Sequence, residues 1–245
     1  MTTCITTFSK DGYELYGHTM ITTWLQFWPP SFKLIVYTEG YTLAEKDERI
    51  IELNINESCP NLVTFKDKSN NKLLETSDKK EKRRIQKTIK WCHKVYAIDH
   101  ALKTINDDYI IFLDGDTYTI DAFADTLPAT LVNDKLFAVH FEKLKDGLHF
   151  ETGLIVFNKS HRQMEILKEF LTSGYDSLNI YNENKTWDGY WFARLYRDFK
   201  LDLIDLSLEG RGVFGNKHIR NILRHDIGSK KYNSAGYNHF TGRKE

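Results

Sequence analysis

"YIIFLDGDTYTI", residues 109–120, holds the key to both fold and chemistry. Tyr109, Ile110, Ile111 and Phe112 run into Leu113 as a short apolar segment of β-branched and aromatic character, which reads as a buried strand. Two carboxylates follow, Asp114 and Asp116, with only Gly115 between them. In an open α/β sheet the ligand crevice lies outside the carboxyl ends of the strands, where this pair would sit. Side chains two apart on an extended chain point the same way, so the carboxylates would repel unless a cation neutralised them. Oxygen donors select Mg²⁺, Mn²⁺ or Ca²⁺ over zinc, and an ion held by one or two carboxylates keeps positions for substrate phosphates. The competing reading is a ligand-free Asp-Gly-Asp turn capping the strand; the apolar run before it argues for a deeper placement.

Working outward, "CITTF" followed by "SKDG" reads as an opening strand and a loop. Leu15, Met20, Thr23 and Phe27 then recur at near-helical spacing until Pro29 and Pro30 force an end. "KLIVYT" is a second strand, and strand, helix and strand imply a parallel sheet. Residues 66–84 are dense in charge, which predicts a mobile loop or the solvated start of a helix. From Ile85 a long helix continues to Ile105 and feeds the strand at Tyr109, with Arg83, Lys87, Lys90 and Lys94 on one basic stripe. Further strands are expected at "LFAVHF", "GLIVF" and "LDLIDL", with helices from Ser160 as N-cap and over "WDGYWFARLYRDF". The region from Arg211 onward is rich in Lys, Arg, His and Asn and is expected to wrap over the domain.

The chain has 245 residues, enough for one larger domain with its own core. Its hydrophobic fraction of 41% and charged fraction of 28% are those of a globular protein, without the roughly 18 uninterrupted apolar residues of a membrane helix. The N-terminus lacks a basic region followed by an apolar core, so a cytoplasmic protein without integral membrane association is expected. Cys4, Cys59 and Cys92 are widely spaced and odd in number, which predicts packing residues rather than disulfides or a zinc site. Formal net charge is zero, so any attraction to polyanions must come from local clusters.

A haloacid-dehalogenase-type phosphatase would carry Thr or Val where this chain has Tyr118, and would place its motif in the first strand. "VYAIDHALKTINDDYIIFLDGDT" instead resembles the GT-A glycosyltransferases with a D-x-D motif, and within them the glycogenin-like, mostly retaining group. "HDIGSKK", residues 225–231, resembles that group's C-terminal H-x-x-G-x-x-K. The resemblance implies an α/β fold in a single GT-A, Rossmann-like domain with a mostly parallel central sheet flanked by helices. It also implies a division of labour: residues 1–120 as the nucleotide-sugar half, 121–210 as the acceptor side, and 211–245 as a segment closing over the diphosphate. Asp114, Asp116 and His225 would hold Mn²⁺ or Mg²⁺, while Gly228 and Lys231 would meet the diphosphate. Thr7, Phe8 and Tyr37, with Tyr13 in reserve, are expected near the base and ribose, and Lys94 near the donor.

Two segments depart from the family pattern. "FETGLIVFN" puts Glu151 where a sugar-contacting Asn would stand, and "WDGYW" matches the Asp of G-D-Q with Asp188 but replaces the Gln with Gly189. Glu151 and Asp188 are the expected catalytic carboxylates, stabilising an oxocarbenium-like centre or, for Glu151, serving as base towards the acceptor. A helix N-cap is the alternative for Asp188, and a surface carboxylate for Glu151.

The expected activity is metal-dependent transfer of a hexosyl or pentosyl group from a nucleoside-diphosphate sugar, UDP-sugar first, to a hydroxyl acceptor, with retention implied by the resemblance. Trp24, Trp28, Trp187 and Trp191 offer platforms for a saccharide acceptor. The basic stripe and Arg211, Lys217, Arg220 and Arg224 would suit a nucleic-acid acceptor such as a hydroxylated base. The alternatives are a nucleotidyltransferase on a similar scaffold and a non-catalytic module that binds a sugar nucleotide or glycan.

Overall fold

Strand β1, Thr2–Phe8, is buried along nearly its whole length, as a central parallel strand must be. The computed structural model describes residues 1–144, 147–207 and 216–225. The other strands are β2 (Lys33–Thr38), β3 (Ile50–Asn54), β4 (Tyr109–Leu113), β5 (Thr117–Thr119), β6 (Phe137–Leu144), β7 (Gly147–Asn158), β8 (Leu203–Asp205) and β9 (Leu223–His225). Seven form one sheet in the order β3-β2-β1-β4-β7-β6-β8, and β5 pairs with β9 in a small second sheet. β3, β2, β1 and β4 are mutually parallel; β7 runs antiparallel to both its neighbours, and β8 is parallel to β6. The chain winds outward from β1 to β3 and then returns to place β4 on the other side of β1. The carboxyl ends of β1 and β4 therefore flank a topological switch point, where ligands bind in folds of this kind.

Helices cover both faces. They are α1 (Lys10–Gly12), a π-helical turn (Tyr13–Gly17), α2 (His18–Phe27), α3 (Ile55–Ser58), α4 (Pro60–Glu75), α5 (Lys79–Thr104), α6 (Leu127–Val132), α7 (Met164–Phe170), α8 (Ser173–Asp176) and α9 (Asp188–Phe199). The twofold alternation of the strands divides the core. Ile110 and Phe112 pack with α5 and α9, whereas Ile111 and Leu113 pack with α2 and α6. None of the helices of the described residues is long and apolar enough to cross a membrane.

One expectation holds in part and another needs correction. Residues 79–84 are the solvated start of α5, but residues 66–75 complete α4, and only Thr76–Asp78 separate it from α5. The helix was hard to see because its buried face is Leu62, Phe65 and Ser69, and Ser69 is polar; its hydroxyl accepts the Tyr181 O–H at 2.8 Å. Nor does a helix begin at Ser160. Asn158 takes both the Ser160 N–H and its hydroxyl, at 3.2 and 2.8 Å, which holds a turn and delays α7 to Met164.

All three cysteines are free and buried. Burial pushes their thiols up, Cys59 to about 12 and Cys4 and Cys92 further. Ellman's reagent is expected to titrate no thiol in the native protein and all three in denaturant; a fast-reacting native thiol would contradict this packing.

Candidate active site

Residues Asp114–Asp116 form the turn between β4 and β5. Asp114 N–H donates to Gly153 O on β7 at 2.8 Å, and Thr117 N–H to Asp114 O at 3.0 Å. Gly115 is the residue this turn requires. A Cβ there would come within 2.5 Å of the Phe8 ring at the end of β1 and 3.2 Å of Tyr16. Phe8 thus presses on the turn from beneath, while Asp114 and Asp116 stay half-buried at the switch point.

Lys94 reaches this turn from α5. Its ammonium lies 2.7 Å from Asp114 Oδ1 and 2.8 Å from Asp188 Oδ2, and donates to Thr152 Oγ1 at 3.0 Å. Thr152 O–H in turn donates to Asp188 Oδ2 in a short hydrogen bond. Burial pulls the Lys94 pKa down, but Asp114 and then Asp188 outweigh it and hold the ammonium well above the ordinary lysine range. Burial likewise pushes Asp188 up, and the Lys94 charge with its hydrogen bond and that of Thr152 reverses the sign, leaving a carboxylate below its usual range. The four groups form one ionic web joining α5, the β4 turn, β7 and α9.

The web depends on an irregularity in β7. Register with β6 shifts between Val139 and His140, which pair with Ile155 and Glu151 respectively. Thr152 and Gly153 fall within that bulge, which frees them to meet Lys94 and Asp114. Glu151 precedes them, half-buried, and its Oε1 accepts Gly153 N–H at 3.0 Å.

Asp188 is the first residue of α9, not its N-cap, which is Trp187. The replacement of Gln by Gly189 has a steric cause. A Cβ at Gly189 would stand 2.0 Å from the Phe150 carbonyl oxygen, because α9 lies directly against the β7 backbone. Gly189→Ala is expected to cost about 3 kcal/mol or more, since the obstacle is backbone rather than a side chain that can turn away. Urea unfolding would measure it, and a loss below about 1 kcal/mol would contradict the close approach.

Other expected site residues divide. Thr7 is partly exposed at the end of β1. Tyr37 pairs with Thr7 across β1 and β2, but its side chain is fully buried, its hydroxyl on His100 Nδ1 at 2.8 Å. Tyr13 is also buried, with its hydroxyl donating to Glu45 Oε2 at 2.5 Å and accepting Ala44 N–H at 2.7 Å. Lys94 leaves the basic stripe for the interior, whereas Arg83, Lys87 and Lys90 remain exposed. Of the four tryptophans expected as platforms, Trp24, Trp28 and Trp191 are core residues and Trp187 is half-buried. Thr152 was not foreseen; a threonine beside an expected carboxylate carries no signal until its partners are known.

The C-terminal motif approaches through β9. In the β5–β9 ladder Thr117 pairs with His225, Tyr118 with Arg224 and Thr119 with Leu223. The backbone of His225 therefore lies beside the residue that follows Asp116. Gly228, Lys231 and Arg211 lie outside the described residues, as does the side chain of His225. Among the described residues no three His, Cys, Asp or Glu side chains converge as a metal cage.

No protein-family model matches the chain, and no curated protein matches it in sequence. Solved structures do match. Mouse xyloside xylosyltransferase 1, in its apo form, aligns over 86% of this chain and 87% of its own, with 11% identity and a TM-score of 0.56. Galactosyltransferase LgtC, solved with donor and acceptor sugar analogues, aligns over 98% of this chain and 94% of its own, with 11% identity and a TM-score of 0.53. The apo form of GlyE from Streptococcus pneumoniae aligns over 83% of this chain but only 45% of its own, with 12% identity and a TM-score of 0.52. Identities this low bear on architecture alone, and the architecture they share with this chain is the GT-A glycosyltransferase fold.

Proposed function

We propose that the protein is a metal-dependent glycosyltransferase that moves a hexosyl or pentosyl group from a nucleoside-diphosphate sugar, UDP-sugar in first place, to a hydroxyl of a saccharide or hydroxylated nucleic-acid base. The observation that carries this reading is the pairing of Thr117 with His225. It joins the start of H-x-x-G-x-x-K to the end of D-G-D, two motifs far apart in sequence, at the switch point of a GT-A sheet.

Two carboxylates and an imidazole suit Mn²⁺ or Mg²⁺, with Asp114, Asp116 and His225 as the holding residues. When bound, such an ion supplies Lewis-acid charge to the diphosphate leaving group. Lys231 would add a point charge there and Gly228 a close backbone approach, with residues 211–245 closing over the donor. Thr7 and Phe8, at the end of β1, support placing the base and ribose on that side. Lys94 fixes Asp188 in its ionised form and pairs with Asp114, so that both carboxylates hold their positions as charge develops. Asp188 and Glu151 are the carboxylates assigned to the anomeric centre, and retention follows the resemblance.

The test is nucleoside-diphosphate release from a panel of nucleotide sugars with Mn²⁺. Release from one donor, abolished by chelator, is the expected result. Metal-dependent nucleotide binding without release from any donor would favour a non-catalytic binding module instead.

A further inference from the structure

Helix α5 outruns the sheet on the side of the candidate site. It ends at Thr104, just before β4 begins, so it runs antiparallel to β4 and brings Lys94 to Asp114 at that strand's carboxyl end. At 1.5 Å per residue, the segment from Lys79 to Lys94 carries it about 22 Å beyond that level. Along this overhang lies a groove of about 590 Å³ between α5 and residues 184–187.

The groove is built rather than incidental. Its walls are tied by Thr88 O–H to Thr186 Oγ1 at 2.6 Å, and by Arg84, which donates to the Tyr181 and Glu183 carbonyls at 2.6 Å each. With Arg84 so engaged, the cations available along it are Lys79, Lys80, Arg83 and Lys87, with Lys185 on the facing wall. The acidic member of the described lining, Asp78, is the N-cap of α5, accepting Lys80 N–H at 2.9 Å. A chain of zero formal charge thus collects cations on one groove.

Aromatic faces are interleaved with these charges. Trp91 and Trp187 meet edge to face at 6.3 Å, with Lys87 Nζ 5.9 Å from the first ring centroid and Lys185 Nζ 4.7 Å from the second. A line of cations with aromatic platforms matches how proteins hold single-stranded nucleic acid, phosphates on the charges and bases on the rings. A neutral saccharide would use the rings but not the line of charges. Trp187 adjoins Asp188, and Trp91 lies one helical turn from Lys94, so the groove ends at residues that neighbour the ionic web in sequence.

We infer that this groove receives a single-stranded nucleic-acid acceptor and leads it to the Lys94–Asp188 end of the candidate site. Lys87 would move from the Trp91 ring to a phosphate as a base takes its place. The inference rests on the glycosyltransferase reading. Transfer forms a bond between a hydroxyl oxygen of the strand and the anomeric carbon, breaks the bond from that carbon to the diphosphate, and passes the hydroxyl proton to the departing diphosphate.

The test titrates the full chain into labelled oligonucleotides about 12 nucleotides long across a salt series, following anisotropy and tryptophan emission. Binding with tryptophan quenching is expected. The exposed pair Arg83→Glu and Lys87→Glu, checked for folding by circular dichroism, should weaken it at least tenfold and flatten the log–log salt slope by about 1.4. No binding at low salt, binding indifferent to the charge reversals, or a phosphorylated oligosaccharide that displaces the strand at lower concentration would each overturn the inference. Donor breakdown by the wild-type protein alone reports on the underlying reading separately. Donor breakdown without strand binding sinks the groove assignment alone; strand binding without breakdown of any donor sinks its role as an acceptor path.

Discussion

Replacing Lys94 by methionine is expected to destabilise the protein by about 3–5 kcal/mol, the range for removing one partner of a buried ion pair. Methionine keeps most of the stem volume beside the Phe112 ring, 5.1 Å from the ammonium in the wild type, so the loss reports charge rather than a cavity. Asp188 would be left ionised and buried without its counterion, keeping Thr152 and a backbone hydrogen bond, with Asp114 close by. The sign of the pH dependence follows from the two shifts. Asp188 titrates below its usual 3.8, so its contribution is present above that value and is lost as pH falls through the folded pKa. Lys94 titrates above its usual 10.5, so its contribution is complete below that value and is lost as pH rises through the folded pKa. The difference between wild type and variant should therefore be largest and flat across the neutral range. Adding Asp188→Asn to Lys94→Met removes the stranded charge and should recover more than half of the lost stability, without restoring activity. Urea midpoints with unchanged slope measure all three proteins. A single-variant loss below about 1 kcal/mol would mean that water, not Lys94, neutralises these carboxylates.

The same web explains which parts of the molecule could be read from sequence. β4 and α5 were legible because burial on both sides of a central strand, and on one stripe of a long helix, leaves apolar patterns that local reading detects. β3 was missed: "IIELN" is short, half-exposed and at the edge of the sheet, where alternation is weak. The end of α4 was read as part of a loop or the start of a helix because a serine with a buried tyrosine partner stands where an apolar residue would complete the period. Lys94 shows the limit most clearly. Its spacing put it on the same stripe as Arg83 and Lys87, yet those remain in solvent while Lys94 turns inward, a difference set by Asp114 and Asp188, which are 20 and 94 positions away. The carboxylate pair was found from the strand that precedes it, but its neutralising lysine belongs to tertiary structure. The β5–β9 pairing was beyond reach for a related reason: three-residue strands have no period, and only the motifs at their ends hinted that they meet.

Asp116→Asn is expected to lower nucleoside-diphosphate release about 10³-fold, a loss of about 4 kcal/mol in transition-state stabilisation. The amide is isosteric with the carboxylate but lacks the charge that would hold a divalent cation, so the deficit should appear in Mn²⁺ affinity as well as in turnover. Asp116 is half-buried on the turn, and the counterions of Lys94 are Asp114 and Asp188. The contrast between the two aspartates is therefore the sharper test. Asp114→Asn should cost both activity and about 1–3 kcal/mol of stability, because it withdraws one of two counterions from a buried ammonium. Asp116→Asn keeps both of those counterions and should cost less stability than Asp114→Asn while activity falls. Equal destabilisation by both substitutions would mark D-G-D as a structural turn whose charges serve the fold. Loss of stability at Asp114 alone, with release and Mn²⁺ binding intact in Asp116→Asn, would remove Asp116 from the metal site and with it the reason for placing the diphosphate at this end of β4.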